Sequence, residues 1–208
     1  MSRDRSTPRP PETAPRRPSF GCRRAIGAVA LTSLVAMAPV AFGCGYEDAN
    51  SAAVQRGVLN FAYPNALHVV GALTQARLAG VVAPPPEAPA GNDPFGSQFH
   101  KTTRMLQQFG DTFGIEPSED LAFSMVLIEP MLWTRFAAGG GRVATSVHVS
   151  GPAAGDPVVI ATEAAMREIV GRRLTAERAD ELGLIRIYGD PEKIARLRAI
   201  IAGQGCGD

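Results

Sequence analysis

The sequence has little of what most catalytic and metal sites require. It contains three cysteines and three histidines in 208 residues. It has no Cys-x-x-Cys pair, and His68, His100 and His148 show no ligand spacing, so neither a metal nor a cofactor is expected. Glycines 139–141 precede no Gly-Lys-Ser/Thr motif, and no serine lies in a Gly-x-Ser-x-Gly context. We therefore predict a protein that is not an enzyme.

Lysine is also scarce, since the chain has two lysines beside many arginines and alanines. This usage is typical of a GC-rich bacterial genome. Without residues 1–43, the chain has fourteen Lys and Arg and eighteen Asp and Glu, which gives a net charge of −4. An acidic protein without a basic stripe is a poor ligand for nucleic acid, and no nucleic-acid partner is predicted.

Long apolar runs are absent except for residues 25–43, which are uncharged, follow Arg23 and Arg24, and end at Cys44. This run is too short and too rich in alanine for a typical membrane span, and with its basic flank it indicates a bacterial export signal. Residues 1–24 are rich in Pro, Ser and Arg and are predicted to be a disordered basic leader. The sequence thus predicts a protein of the bacterial envelope.

Three fates of the export signal stay open. Small residues at Ala41 and Gly43 suit ordinary cleavage before Cys44. The run Ala41-Phe42-Gly43-Cys44 resembles a bacterial lipobox, although Ala41 and Phe42 depart from it, and this resemblance implies a lipid on Cys44. An uncleaved signal anchor is the third alternative. The predicted location is accordingly periplasmic or membrane-anchored, facing the periplasm, and an unlipidated Cys44 could pair with Cys206.

The remainder divides into a helical segment at 44–82, a proline-rich linker at 83–96 and an α+β domain at 97–203. In the first segment we predict two short helices, one capped by Asn50 or Ser51 and one beginning at Pro64.

In the α+β domain the apolar spacing of 97–113 predicts a helix. The apolar run 121–136 and the alternating run 142–149 predict a hairpin, with Pro130 at a bulge or an edge. A strand at 158–161, a helix capped by Thr162, a short helix capped by Thr175, a strand at 184–188 and a helix capped by Asp190 follow. The predicted fold is a mostly antiparallel sheet with helices on one face.

The run 157–202 resembles the sterol-carrier-protein type of lipid-binding domain. That family has a Gly-x-Leu-x-x-x-x-Ala segment before Gly-x-Ile/Leu-x-Ile/Val-x-Gly-Asp/Asn. The residues that approximate this pattern are Gly171, Leu174, Ala179, Gly183, Ile185, Ile187, Gly189 and Asp190. The resemblance implies a non-catalytic apolar tunnel that holds a lipid or an acyl chain.

The tunnel would lie between the sheet and its helices. The candidate lining residues are Met125, Leu127, Leu132, Trp133, Phe136, Met166, Ile169 and Val170. Each of these side chains equally suits a plain hydrophobic core. A structural or accessory subunit that docks on an envelope protein complex through the helices of residues 44–80 is the alternative function, and cavity volume separates the two.

Overall fold

A computed structural model describes residues 44–85, 96–113, 122–139 and 141–203. The predictions for the basic leader, the apolar signal, most of the linker and Cys206 lie outside these residues. Helices α1 (Ala49–Ala62) and α2 (His68–Leu78) precede the linker, and α3 (Ser97–Asp111) follows it. Helices α4 (Glu163–Val170), α5 (Ala176–Glu181) and α6 (Pro191–Gly203) complete the chain.

Five strands form one sheet, in the order β3-β2-β1-β4-β5. The strands are β1 (Ala122–Leu127), β2 (Leu132–Gly139), β3 (Arg142–Val147), β4 (Val158–Ala161) and β5 (Ile185–Tyr188). The β1–β4 pair is parallel, and the other three pairs are antiparallel. The predicted fold class, a mostly antiparallel α+β sheet with an added helical segment, is confirmed.

Short polar side chains cap the helices that follow the hairpin. Thr162 and Thr175 each accept a hydrogen bond from the backbone N–H three residues later. Asp190 accepts from the N–H groups of Glu192 and Lys193. These three predicted caps are confirmed, because each oxygen satisfies a backbone donor that has no partner within its helix.

Two start positions predicted in the N-terminal helices are wrong. Asp48 caps α1 and accepts from the N–H groups of both Asn50 and Ser51, so these two residues are donors inside the first turn. Pro64 lies in the turn between α1 and α2, where Asn65 has a φ of 67°. The second helix therefore starts four residues after this proline, at His68.

The predicted hairpin has two strands, whereas the structure has three in the same region, β1, β2 and β3. Residues 121–136 were expected to form a single strand containing Pro130, but the chain turns at 128–131 between β1 and β2. Met131 has a φ of 50°, and Leu127 pairs with Leu132 across the turn. Pro130 thus occupies a turn between two central strands, where its missing N–H costs the sheet no hydrogen bond.

One face of the sheet, which we call the aromatic face, carries Phe123 and Phe136 from neighbouring strands. Their rings stack with centroids 4.7 Å apart, and Phe109 of α3 meets Phe136 edge-on at 5.6 Å. Helices α3, α4, α5 and α6 contribute further buried apolar side chains to this cluster. Offset and edge-on ring contacts add to the stabilisation by burial, so this face holds the main core.

The opposite face, which we call the second face, is covered by the N-terminal helices. Ala52 and Leu59 of α1 and Val69 of α2 pack with Val126 and Trp133 of the sheet. The second face therefore buries its apolar side chains against residues that precede the linker. Among the described residues, no helix combines the length and the apolar character needed to cross a bilayer.

Candidate functional site

An apolar cleft lies between α5, β5 and α6 on the aromatic face. Its apolar walls are Ala176, Ile185, Ile187, Ala199, Ile201 and Ala202. The cleft has a volume of about 360 Å³, which falls in the range of roughly 300–1,000 Å³ that small-molecule sites occupy. Because β5 is an edge strand, the cleft opens at the side of the sheet.

Charged side chains form the rim of this cleft. Glu177, Asp180 and Glu181 project from α5, and Arg198 projects from α6. The Arg198 Nε donates to Asp180 Oδ2 at 2.7 Å, which ties the two helices together across the cleft. Arg178 pairs with Glu181 at 2.7 Å, so three carboxylates beside two guanidinium groups leave the rim with a small net negative charge, which disfavours an anionic head group.

The predicted lining residues lie mainly within the core of the aromatic face. Met125, Leu127, Leu132, Phe136 and Met166 are at most 2% exposed. Ile169 and Val170 of α4 are half-buried at the edge of the same cluster. None of these seven lines the apolar cleft, so the structure brings them together as packed side chains at a different place from this cleft.

Trp133 lies on the second face, apart from the other predicted lining residues. Side chains alternate along a strand, so Leu132 and Trp133 point to opposite faces of β2. Trp133 belongs to the cluster with Val126 and Ile160, whereas Leu132 belongs to the aromatic face. A single tunnel on one side of the sheet cannot include both residues.

A second, more polar cleft of about 970 Å³ lies between α3 and α4. It is lined by Arg77, Gln98, Lys101, Thr102, Met105, Gln108, Glu129, Glu163, Ala164, Arg167, Val170, Gly171 and Arg173. Val170 is thus the one predicted lining residue that borders either of these two clefts. Charged groups of both signs line the polar cleft, so it suits an apolar ligand less well than the cleft beside β5.

Glu163 organises one wall of the polar cleft. Its carboxylate accepts hydrogen bonds from Tyr46 Oη at 3.2 Å and from Thr102 Oγ1 at 3.1 Å, and it pairs with Arg167 at 2.7 Å. Burial of the phenol raises the pKa of Tyr46, and the neighbouring Glu163 charge adds to this effect. Tyr46 therefore stays protonated and acts here as a hydrogen-bond donor.

Glu129 lies beside Glu163 at the start of α4. Its Oε2 accepts from the backbone N–H of Glu163 at 2.9 Å. Removal of water around the carboxylate raises the pKa of Glu129, and this N–H works against that shift by favouring the charged form. Glu129 is thus held by the first N–H of α4, and Glu163 is held by two hydroxyl groups and Arg167, so these contacts fix the start of α4 in place.

A third cluster joins Cys44, Glu47 and His148. One ligand atom from each lies within 4.8 Å of the other two, and His148 Nε2 is 3.7 Å from Glu47 Oε2. No metal-ligand spacing is visible in the sequence, because Glu47 and His148 are about a hundred residues apart. The only local signal is the spacing of Cys44 and Glu47, three residues apart, and this spacing also occurs in many turns that bind no metal.

His148 reaches the cluster because β3 ends in a bulge. Unbroken alternation over the run 142–149 would place Val147 and Val149 on one face, but these residues pack on opposite faces of the sheet. His148 has a φ of 65°, and the N–H of Val149 donates to the Trp133 carbonyl at 3.1 Å. The extra residue shifts the alternation of side chains by one position and leaves His148 exposed at the edge.

The sequence matches no protein-family model and no curated protein. Among solved structures, the chain is similar to sterol carrier protein 2-like 2 from Aedes aegypti at 17% identity and a TM-score of 0.38, over 49% of this chain and 98% of that one. It is also similar to a stereoselective inverting sec-alkylsulfatase from Pseudomonas sp. at 17% identity and a TM-score of 0.32, over 48% of this chain and 14% of the sulfatase. A double mutant of a sec-alkylsulfatase matches at 17% identity and a TM-score of 0.34, over 50% of this chain and 15% of that one.

Proposed function

We propose that this chain is an exported, non-enzymatic protein of the bacterial envelope that holds an apolar ligand in the cleft between α5, β5 and α6. The observation that carries the proposal is the cleft itself, whose walls are isoleucine and alanine side chains. Its residues fall within the run 157–202, which resembles a lipid-binding domain in sequence. The ligand site is therefore proposed here rather than among the core residues 123–136.

The rim of the cleft sets the class of ligand. Arg198 pairs with Asp180 and Arg178 pairs with Glu181, and the charge of Glu177 is in excess, so an anionic head group meets a small net repulsion at the entrance. The cleft is open at one side, so a polar head group can stay in water while the acyl chain is buried. We propose an uncharged lipid, such as a monoacylglycerol, as the preferred ligand.

Export is proposed from the apolar run 25–43 and its basic flank. Attachment of a lipid at Cys44 stays a prediction, and the geometry places a condition on it. Cys44 is 3% exposed and packs in the cluster of the aromatic face. Its sulfur has to leave this position before a lipid anchor can reach a membrane.

The binding test compares native and denaturing mass spectra of the full chain purified from a bacterial envelope. We expect a lipid-sized mass that is present under native conditions and lost on denaturation. Binding is then measured with a fluorescently labelled monoacylglycerol. A bare native mass together with no binding of this probe would overturn the proposal.

Two substitutions on α6 locate the ligand. Ala199 lines the cleft, and Ala195 lies one turn earlier on the same helix, is also exposed and does not line the cleft. We expect Ala199→Trp to fill the cleft and weaken probe binding at least about tenfold, because an indole displaces the acyl chain. Ala195→Trp is the matched control, and equal effects of the two changes would exclude this cleft.

A specific observation favours the alternative function, docking on an envelope protein complex. Val54, Val58 and Phe61 of α1 are 70%, 62% and 90% exposed. Their spacing places them on one side of the helix, opposite Leu59 and the second face of the sheet. The triple substitution of these residues to Ser tests docking. If an envelope protein no longer co-purifies while monoacylglycerol binding is retained, the result supports a docking role in addition to ligand binding.

A further inference from the structure

We propose that Cys44, Glu47 and His148 form a binding site for a divalent transition-metal ion of the zinc class. The proposal does not depend on the apolar cleft, whose residues are all different. It concerns a place where three side chains of different chemistry meet: a thiol, a carboxylate and an imidazole. Each of these groups is a common protein ligand of zinc.

The separations of the ligand atoms are close to those around a metal ion. Ligands at 2.0–2.3 Å in a tetrahedron lie roughly 3.5 Å from one another. His148 Nε2 and Glu47 Oε2 are 3.7 Å apart, and all three ligand atoms lie within 4.8 Å of one another. Glu47 is exposed, so rotation of its side chain can close the remaining distance without disturbing the core.

The turn that carries Cys44 and Glu47 is fixed by its backbone. The N–H groups of Glu47 and Asp48 both donate to the Cys44 carbonyl, at 2.9 and 3.0 Å. The Gly45 N–H donates to the Pro130 carbonyl at 2.6 Å, and a Cβ at Gly45 would lie 3.1 Å from that oxygen. The turn is therefore held against the sheet before any ion binds, which reduces the entropic cost of binding.

The imidazole is also held in place. The bulge that ends β3 directs His148 to the edge of the sheet, and its ring meets the Phe99 ring edge-on at 5.8 Å. Phe99 in turn contacts Tyr46 of the Cys44 turn at 5.8 Å. One aromatic ring thus supports both the histidine and the segment that carries the other two ligands.

The donor set selects the class of metal. A thiolate and an imidazole favour zinc and its neighbours in the first transition row, whereas calcium and magnesium take oxygen ligands. A cut before Cys44, one of the fates that the sequence leaves open, would free an amino group whose nitrogen lies 3.3 Å from Glu47 Oε2. That amine would supply a fourth donor from the same residue as the thiolate.

The test is a Co²⁺ titration of the purified full chain in which Cys22 and Cys206 are replaced by Ser, so that Cys44 is the single thiol. We expect a thiolate-to-cobalt charge-transfer band that Zn²⁺ abolishes by displacement. Cys44→Ser removes the band. His148→Ala and Glu47→Gln raise the dissociation constant at least about tenfold, because outer-shell partners alone are worth 10–100-fold.

His100→Ala is the matched control. His100 is exposed and contacts the same Phe99 ring at 5.8 Å, but it lies outside the cluster. His148→Ala removes an exposed side chain, so the test does not depend on whether Cys44→Ser folds. The proposal is overturned by the absence of a band in folded protein, by equal affinities of His148→Ala and His100→Ala, or by an intact mass showing a lipid on Cys44.

Discussion

The two faces of the sheet are built differently. Helices α3 to α6, which follow the linker, supply most of the cover of the aromatic face, and its centre is a set of contacting phenylalanine rings. Cys44, Leu73, Ala76 and Val82 add to the same buried cluster from before the linker. The second face is apolar only where α1 and the start of α2 cover it. Its remainder is polar, since Ser124 and Arg135 both donate to Asp156.

This difference indicates what residues 44–82 do. They supply the cover for half of the sheet, because without them Val126, Ile128 and Trp133 would face water. Polar contacts join the two parts as well: Tyr188 Oη donates to the Pro64 carbonyl at 2.8 Å, and Arg56 donates to the Glu129 carbonyl at 2.6 Å. The helical segment is thus part of the fold.

The largest expected effect comes from the aromatic face. Phe136→Ala removes a fully buried ring that stacks on Phe123 and meets Phe109. We expect the free energy of unfolding to fall by about 3–5 kcal/mol, as for other buried Phe-to-Ala changes. Urea unfolding followed by Trp133 fluorescence measures this. A loss below about 1 kcal/mol would mean that the rings are not the main core.

A smaller effect is expected where α1 covers the second face. Leu59→Ala should cost about 2–3 kcal/mol, because Leu59 is 4% exposed and leaves a cavity beside the sheet. Phe61→Ala, two residues further along the same helix, is the control and should change stability by less than about 0.5 kcal/mol, since Phe61 is 90% exposed. Equal, negligible effects would show that α1 is not part of the cooperative unit.

Features that depend on one turn of the chain could be predicted from the sequence, whereas features that depend on distant contacts could not. Capping residues such as Thr162, Thr175 and Asp190 act within one turn, so they were readable from the sequence and are confirmed. The split of residues 121–136 into two strands was missed, because both strands are buried and the turn at Pro130 lacks glycine and asparagine.

The candidate sites were harder to predict for a physical reason. Leu132 and Trp133 looked like members of one lining set, but adjacent strand residues face opposite sides. The bulge at His148 and the approach of Cys44 to it depend on tertiary contacts that no local pattern encodes. The apolar cleft uses α5 and α6, where alanines do not reveal whether they line a cavity or fill a core.

The smallest effect is expected at Glu168, a charged residue that is 4% exposed. A hydrogen bond from Arg173 lowers the pKa of Glu168 below its ordinary value of 4.5, although burial works in the opposite direction. Arg173→Gln removes the positive partner and should destabilise the fold at neutral pH by less than Leu59→Ala does. Arg178→Gln is the control, since its partner Glu181 is exposed and such pairs contribute little.

The pH dependence distinguishes this ion pair from simple packing. A carboxylate whose pKa is lowered in the folded state adds stability at pH values above its unfolded pKa, and this stability is lost as the pH falls through the folded pKa. The difference between wild type and Arg173→Gln should therefore be largest near neutral pH and should disappear as the pH falls through the lowered folded pKa of Glu168, because the carboxylate is then protonated in both proteins. Urea unfolding at several pH values measures this difference. A difference that stays constant with pH would mean that Arg173 stabilises the aromatic face through the contacts of its alkyl chain alone.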